Sequence, residues 1–560
     1  MSKTGTNTPP YTSWQTAADS IQKCINICVD GDTIYVANGV YKERIDMIPG
    51  LSLIGSGMDS CIVDTRQLAE PYYSIRTFDS CYLNGIGIYC RNVSEGWAVY
   101  ILNSTIEFCK IQEADVGFLI STDQSKSAIA YKNIIFNVQD GIICEGKPLI
   151  TENIISANGF GLISQILSNP IYLNNIIMAD PCYKGFSAGF GIKSIFISNL
   201  IIGFGNTAID AYQNDSIFNN AIYGSNGKWD TGIAGANTVL FNNHIQNTNM
   251  ALYYDEPGGA RQVFKYNNLW KNEANSIYIT IDSTNIFNDP MFVNEDSMDF
   301  HLQMYSPLID AGDPNILDKD GSRSDIGIYG GPYGDKYTYR DLAPKPPSNL
   351  TVVIDSGLVK LTWNKNTEAD FSVYRVYRDT VPDFMYDTTK IVAVLSDTVY
   401  YDDPPQKFIS GNYYYKITAL DNTLHQSAPS EEAHINITGI PEAPPIVVEH
   451  YRLLNNYPNP FNSSTIIPYR LKEGGYVKLY IYDMKGELVR VLVNGYQSAG
   501  YYEVRFNPSE TERAKGKLGE GYWTGYNDDI ASGMYIYQLH VRGEGDIPVF
   551  TDMGKMILLK

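Results

Sequence analysis

Short apolar runs separated by polar turns fill the first 340 residues, and their spacing changes once. Trp14, Ala17, Ala18, Ile21, Cys24, Ile25 and Cys28 recur at helical intervals, and Thr12 with Gln15 forms a capping box, so this stretch predicts an N-terminal helix. After Asp30-Gly31 the pattern becomes that of short strands, beginning with DTIYVANGVY and LSLIGSG. From Asn133 a unit reading Asn-Ile-Ile, or close to it, returns at Asn153, Asn175, Asn199, Asn220, Asn243 and Asn268, with gaps of 20, 22, 24, 21, 23 and 25 residues. Earlier turns around Asn84 and Asn103 are 19 residues apart. Such a period, in short strands without intervening helices, predicts a solenoid whose coils stack about 4.8 Å apart. An amide at one angular position of every coil then satisfies the turn amides of its neighbours, so these Asn residues are expected to build the coil and not to carry chemistry. The helix is expected to cover the first open edge.

Pro344, Pro346 and Pro347 end this pattern. Beyond them, LTVVIDSGLVKLTWNKN, FSVYRVYRD and GNYYYKITALD alternate as the strands of a small sandwich. A second Pro-rich stretch, IPEAPPIVVEH, precedes LLNNYPNPFNSSTIIPYRL and further alternating runs that end in KMILLK, interrupted by a polar stretch around 509–528 that reads as an extended loop. The expected organisation is all-β: an arm and capping helix over 1–30, a coil over 31–340, and two small β-sandwiches over 345–440 and 452–560.

Composition limits the class. With 560 residues, 44% of them hydrophobic and 19% charged, the chain is long and apolar enough for several folded domains. Forty-two Lys and Arg against 62 Asp and Glu give a net charge of -20, which argues against nucleic acid or an anionic membrane as partner. No apolar run approaches the roughly 18 residues of a membrane span. The 43 Tyr and 47 Gly suit a β-rich protein exposed to an extracellular milieu. All eight Cys (24, 28, 61, 81, 90, 109, 144 and 182) lie in the first third without zinc-site spacing, so buried thiols are expected, with disulfides the alternative. Cys61 to Cys81 and Cys90 to Cys109 are 20 and 19 apart, a near-coil spacing that would stack them inside.

The opening WQTAADSIQKCINICVDGDTIYVANGVYKERI, the LSLIGSG that follows it, the Asn series and the closing MFVNEDSMDFHLQMYSPLIDAGDPNILDKDGSRSDIGIYGGP resemble the pectate-lyase-like superfamily of right-handed parallel β-helix proteins, over about residues 12–335. The resemblance implies that fold but no single activity, because the superfamily holds lyases, hydrolases, epimerases and binding proteins. The first sandwich resembles a fibronectin type III domain, which implies a spacer with Trp363 as its buried indole and Tyr413 or Tyr415 as its corner tyrosine. The second, with PNPFN, YDMKGE, SGMYIYQL and KMILLK, resembles the C-terminal sorting domain of type IX secretion substrates. That resemblance implies engagement of outer-membrane secretion machinery, an extracellular or cell-surface location, and a signal peptide ahead of residue 1, since the polar N-terminus has no apolar core of its own.

The coil shows no Gly-His-Gly or Arg-Ile-Lys, and the adjacent acids Asp402-Asp403 and Asp528-Asp529 lie in the sandwiches. Counting from the repeating Asn, Asp210 lies 11 after Asn199, Asp230 10 after Asn220 and Asp255 12 after Asn243, which would stack three carboxylates. Stacked carboxylates repel unless a cation, most naturally calcium, sits between them. Tyr212, Trp229, Tyr253 and Tyr254 flank them and would present aromatic faces to sugar rings. Arg261 and His244 on neighbouring turns would supply a base. The alternative is solvated loop residues. A second candidate calcium loop is Asp318, Asp320 and Asp325 around Gly321; the alternative there is a turn whose Asp side chains cap backbone amides. These features lead to an expectation of extracellular polysaccharide recognition. The alternatives are calcium-assisted lyase action on a uronic-acid polymer, with Arg261 or His244 as base, or a structural, adhesive rod.

Overall fold

The computed structural model describes the chain except for residues 69–71, 91–95, 124, 166–167, 179–182, 189–192, 204, 212–214, 226–229, 236, 255–262, 278–279, 356–357, 403–410, 438–449, 509–529, 544, 546 and 560. It divides into two compact units, Met1–Leu302 with Ser306–Tyr339, and Gln303–Tyr305 with Arg340–Lys560. No helix among the described residues is long and apolar enough to cross a membrane.

In the first unit every third strand joins the same sheet, giving three parallel sheets of eleven strands each. Sheet 1 runs from Thr33–Val36 to Val263–Lys265, sheet 2 from Gly39–Tyr41 to Asn268–Trp270, and sheet 3 from Ile45–Asp46 to Ala274–Ile277. Most strands are only three to five residues long, so each contributes one or two inward side chains, and the register stacks these into columns. Ile111, Ile135, Ile155, Ile177, Ile201, Ile222, Ile245 and Leu269 form one such column on sheet 2, all of them buried. On sheet 1, Tyr172 and Phe196 stack with ring centroids 4.9 Å apart and planes 16° from parallel. Sheet 3 carries a column of glycines where its backbone meets sheet 2: a Cβ on Gly141 would lie 2.5 Å from Ile155 Cγ2 and 2.3 Å from the Gly161 carbonyl oxygen.

The Asn series forms a continuous buried ladder. The side chain of Asn199 accepts from the backbone and side-chain amides of Asn175 at 3.0 and 2.9 Å, and donates to Asn220 Oδ1 at 3.0 Å and to the Tyr172 carbonyl at 2.9 Å. The same pattern runs from Asn133 through Asn153, Asn175, Asn199, Asn220 and Asn243 to Asn267 and Asn285. The last repeat therefore reads through Asn267 and not Asn268, whose side chain projects from sheet 2 instead. The residue before each ladder Asn from Asn133 to Asn267 takes a left-handed turn conformation, as in Asn174, Asn219 and Asn242 (φ 54°, 53° and 57°), which suits Asn. Asn84 and Asn103 are not ladder members: Asn84 ends a sheet 1 strand, and Asn103 holds Asp79 and Asp123.

The capping helix is shorter than its sequence period predicts. Only Ile21–Ile25 is helical, because Ser20 caps it and the Glu43 carboxylate accepts from the Ile21 and Gln22 amides at 2.9 and 3.0 Å. Residues before it pair back on themselves, with Ser2 and Asn7 amides donating to Ala18 and Ala17 carbonyls, and Trp14 is 56% exposed instead of packed. Ile21, Cys24 and Ile25 nevertheless join the coil's core. The seven described cysteines are free thiols; Cys182 lies outside the described residues. Cys61 opens a sheet 2 strand whereas Cys81 precedes a sheet 1 strand, so their spacing does not stack them.

Residues 286–302 and 306–339 fold back over the outer face of sheet 2, where Phe292, Phe300, Leu302, Leu308 and Ile326 pack on Leu200 and Ala221.

The second unit holds two antiparallel sandwiches, each a three-stranded sheet against a four-stranded one. In the first, Val359, Leu361 and Trp363 from one sheet pack on Tyr374, Val376 and Ile417 from the other, and Tyr415 donates to Asp402 Oδ2 at 2.9 Å. In the second, Ile467, Tyr469 and Phe506 pack on Val477, Leu479, Tyr537 and Met556.

Candidate functional site

The outer face of sheet 3 gathers aromatic and charged side chains in register. Asp46, Arg76 and Tyr100 occupy one outward column on three successive rungs, and Tyr73 and Trp97 occupy the next column. Arg76 and Tyr100 point outward because Ile75 and Val99 beside them are fully buried, and Tyr73 and Trp97 at the strand starts are also partly exposed, with two buried residues between each pair. Trp97 and Tyr100 have ring centroids 6.0 Å apart, tilted by 38°. Tyr73 donates to Asp46 Oδ1 at 2.7 Å, and burial together with that bond raises its phenol, keeping it a neutral donor. The Arg44 and Arg76 guanidinium groups lie 4.8 and 5.1 Å from the Tyr73 ring centroid. Asp46 Oδ1 sits 2.9 Å from Arg76 Nε, at an angle that leaves this N–H without a hydrogen bond. Aromatic faces, oriented carboxylate oxygens and guanidinium donors together suit a ligand with apolar C–H faces and many hydroxyls.

The Asp46–Arg76–Tyr100 column continues through Leu119, Ile143, Ile163 and Ser187 to Asp210, Ala234 and Tyr253. Asp210 pairs with Lys184 from the rung before, and Lys184 Nζ lies 5.7 Å from the Tyr183 ring centroid. Tyr183 meets Phe160 edge to face at 5.8 Å. Tyr100 and Asp210 are five rungs apart, about 24 Å at the usual strand spacing. One face thus carries two aromatic and charged stations with a flat aliphatic stretch between them.

The structure brings together only some of the sequence candidates. Asp210 and Tyr253 do share a column, with Tyr253 37% exposed. Asp230 does not: the register pairs Asp210 with Ala234, and Asp230 is buried in the preceding turn, accepting from the Ser225 amide at 3.1 Å and hydroxyl at 2.8 Å. The stacked-carboxylate calcium site expected of Asp210, Asp230 and Asp255 is therefore not formed by the first two. Tyr254 is buried and offers no face to a ligand. Tyr212, Trp229, Asp255 and Arg261 lie outside the described residues. His244 lies on the outer side of sheet 2 but is buried beneath Phe292, whose ring meets it edge to face at 5.2 Å. Its nitrogens contact Gln246 and Asn268 at 3.0 Å each, and burial lowers its pKa to about 4. A neutral, enclosed imidazole has no access to a polymer, which removes it as a base.

The Asp318, Asp320 and Asp325 segment is a turn capped by its own carboxylates. Asp318 accepts from the Gly331 and Asp325 amides, Asp320 from the Ser322 amide and hydroxyl, and Asp325 from the Asp310 amide and the Tyr339 hydroxyl. Arg323 donates to the Gly312 and Ala311 carbonyls and not to an acid. Burial, reinforced by Asp318 and Asp310, pushes the Asp325 carboxyl up to about 6. A folded-state pKa above the ordinary carboxylate value gives stability that is complete below about 4 and lost as pH rises through about 6. Accordingly, Asp325→Asn, which cannot ionise, is expected to gain on the wild type by about 2–3 kcal/mol between pH 4 and 7.5. Urea unfolding of both proteins across that range checks this, and a constant difference would contradict it.

A concavity of about 580 Å³ lies at the start of sheet 1, lined by Lys3, Trp14, Tyr35, Asn38 and Ser56 among others.

The Tyr73, Trp97 and Tyr100 station escaped the count from the repeating Asn because it precedes the ladder, whose first rung position is held by Cys109. The signal that finds it is the 24-residue offset shared by Tyr73 with Trp97 and Arg76 with Tyr100.

No family model matches the sequence, and no curated protein matches it. Among solved structures, an Fn3-like protein from Clostridium thermocellum is 27% identical over 18% of this chain and 97% of its own, with a TM-score of 0.14. The catalytic unit of the thermostable GH87 α-1,3-glucanase from Streptomyces thermodiastaticus is 10% identical, covers 48% of this chain and 64% of that one, and gives a TM-score of 0.32. Dimeric latent PorU from Porphyromonas gingivalis is 14% identical over 42% of this chain and 22% of its own, with a TM-score of 0.17.

Proposed function

We propose that this protein binds an extended, neutral polysaccharide along the outer face of sheet 3, and that its C-terminal sandwich serves to export it to the cell surface. The observation that carries the binding reading is the registered array of Asp46, Arg76, Tyr73, Trp97 and Tyr100. A polymer running parallel to the coil axis meets that array first, then the Lys184, Tyr183 and Asp210 group about 24 Å beyond Tyr100, and Tyr253 two rungs past Asp210. The intervening Leu119, Ile143 and Ile163 offer apolar surface to sugar C–H faces. Lys184 pairs with Asp210, while Asp46 is faced by both Arg44 and Arg76, so neither station presents a bare carboxylate. With a net charge of -20 on the chain, a polyanion is repelled at long range, which favours a neutral glycan. The export half of the proposal rests on the PNPFN to KMILLK resemblance.

Co-sedimentation with a panel of insoluble neutral and acidic polysaccharides tests the binding half. The wild type is expected to pellet with at least one neutral glycan, and Trp97→Ala to lose about tenfold in affinity, roughly 1.4 kcal/mol. Retention of the whole panel in the supernatant, or an unchanged Trp97→Ala isotherm, sinks the reading.

A further inference from the structure

The second unit contains a cluster whose geometry matches a metal site and whose members no function considered above uses. Asp341, just ahead of the first sandwich, meets Asp421 and His425 on the turn that follows the strand Gly411–Asp421. One ligand atom from each lies within 4.8 Å of the other two. Asp421 is fully buried, and its two carboxylate oxygens differ. Oδ1 accepts from the Thr423 amide and hydroxyl and from the His425 amide, at 2.9, 2.9 and 2.8 Å, and so fixes the turn. Oδ2 has no hydrogen-bond partner, and neither does the buried Asp341 Oδ1. A buried carboxylate oxygen left bare costs free energy that native structures rarely leave uncompensated.

Both bare oxygens face the same nitrogen. His425 Nδ1 lies 3.3 Å from Asp421 Oδ2 and 3.5 Å from Asp341 Oδ1. These distances are long for charge-assisted hydrogen bonds. They fit donors around a common tetrahedral ion, because ligands at about 2.1 Å from such an ion stand about 3.4 Å apart. We propose that Asp341, Asp421 and His425 bind a divalent transition-metal ion, zinc being the best fit to one imidazole and two carboxylates, with water completing the coordination. Calcium fits less well, since it prefers an all-oxygen set. The ion would fasten the segment around Asp341 to the Asp421–His425 turn, a structural role separate from glycan binding. The rival arrangement has a protonated His425 neutralising the two acids unaided while Nδ1 donates to Thr423 Oγ1, 3.1 Å away.

The test is calorimetric titration of the full chain, free of affinity tag and stripped with chelator, with zinc chloride and separately with calcium chloride. The proposal expects one zinc equivalent per chain, a raised melting temperature for the zinc-loaded protein, and at least tenfold weaker zinc binding in both His425→Ala and Asp341→Asn. His425 is 47% exposed at its side chain, so its replacement is expected to fold, which circular dichroism checks. Asp421 is left intact because its other oxygen holds the turn. Absence of saturable zinc binding in the wild type, equal binding by wild type and His425→Ala, or a preference for calcium would each overturn the assignment.

Discussion

Asn199→Ala is expected to open the middle of the coil. The substitution strips a partner from the Asn175 backbone amide, from one Asn175 side-chain N–H and from the Tyr172 carbonyl, all in a fully buried ladder. Each abandoned buried group costs about 1–3 kcal/mol, so a loss of about 3–5 kcal/mol is expected even after local relaxation. The effect spreads along the axis, since each coil is held mainly by its two neighbours. Hydrogen-exchange mass spectrometry resolves the coil from the sandwiches: peptides covering Ile171–Leu173 to Ser216–Phe218 should lose protection in Asn199→Ala. Lys193→Ala, at an exposed position on an adjacent turn, should stay close to the wild type. Equal protection in the two variants would show that the ladder does not bear this load.

Arg375→Ala is expected to be nearly as damaging, in the second unit. Arg375 Nη2 lies 2.6 Å from Glu503 Oε2, and both side chains are only 11% exposed. Tyr457 and Tyr501 also donate to Glu503 Oε1, at 2.7 and 3.1 Å, while Arg375 reaches Gln426 Oε1 at 2.7 Å. This network joins the two sandwiches through the strands Phe371–Asp379 and Gly500–Phe506. Removing the arginine strands a buried carboxylate, a change that typically costs 3–5 kcal/mol, whereas replacing both partners by apolar residues costs much less. The expected result is a large loss in Arg375→Ala and a clear recovery in Arg375→Met with Glu503→Leu, read from protease sensitivity of those two strands. Additive losses in the double variant would mean that the pair is not coupled.

The parallel coil was legible because period is a property of stacking: a residue that must meet its copy one rung away recurs at each turn. The finer placements were not, and the reason is the turns. From Asn199 to the strand Thr207–Ala211 and from Asn220 to Thr231–Gly235 the chain differs by three residues. Counting from Asn therefore aligns Asp210 with Asp230, while hydrogen bonding aligns Asp210 with Ala234. Asn267 and Asn268 look alike in the sequence for a related reason, since only the left-handed Tyr266 ahead of the pair tells the ladder residue from its neighbour. The helical period over residues 14–28 was real in composition, but the Glu43 carboxylate caps the helix from outside that window. His244 read as accessible because the arm that buries it comes some 50 residues later in the chain. The Asp341, Asp421 and His425 cluster likewise depends on a contact across 80 residues that no local spacing announces.

The most direct test of the binding face is a chain-length series of the glycan found by co-sedimentation, titrated calorimetrically into wild type, Trp97→Ala and Tyr253→Ala. Two stations on one face predict that affinity climbs with ligand length until the oligosaccharide spans the seven rungs from Tyr100 to Tyr253, about 34 Å, then levels off. Each variant should flatten that climb. A short oligosaccharide that binds as tightly as a long one, or a series that neither substitution changes, would contradict a polymer lying along sheet 3.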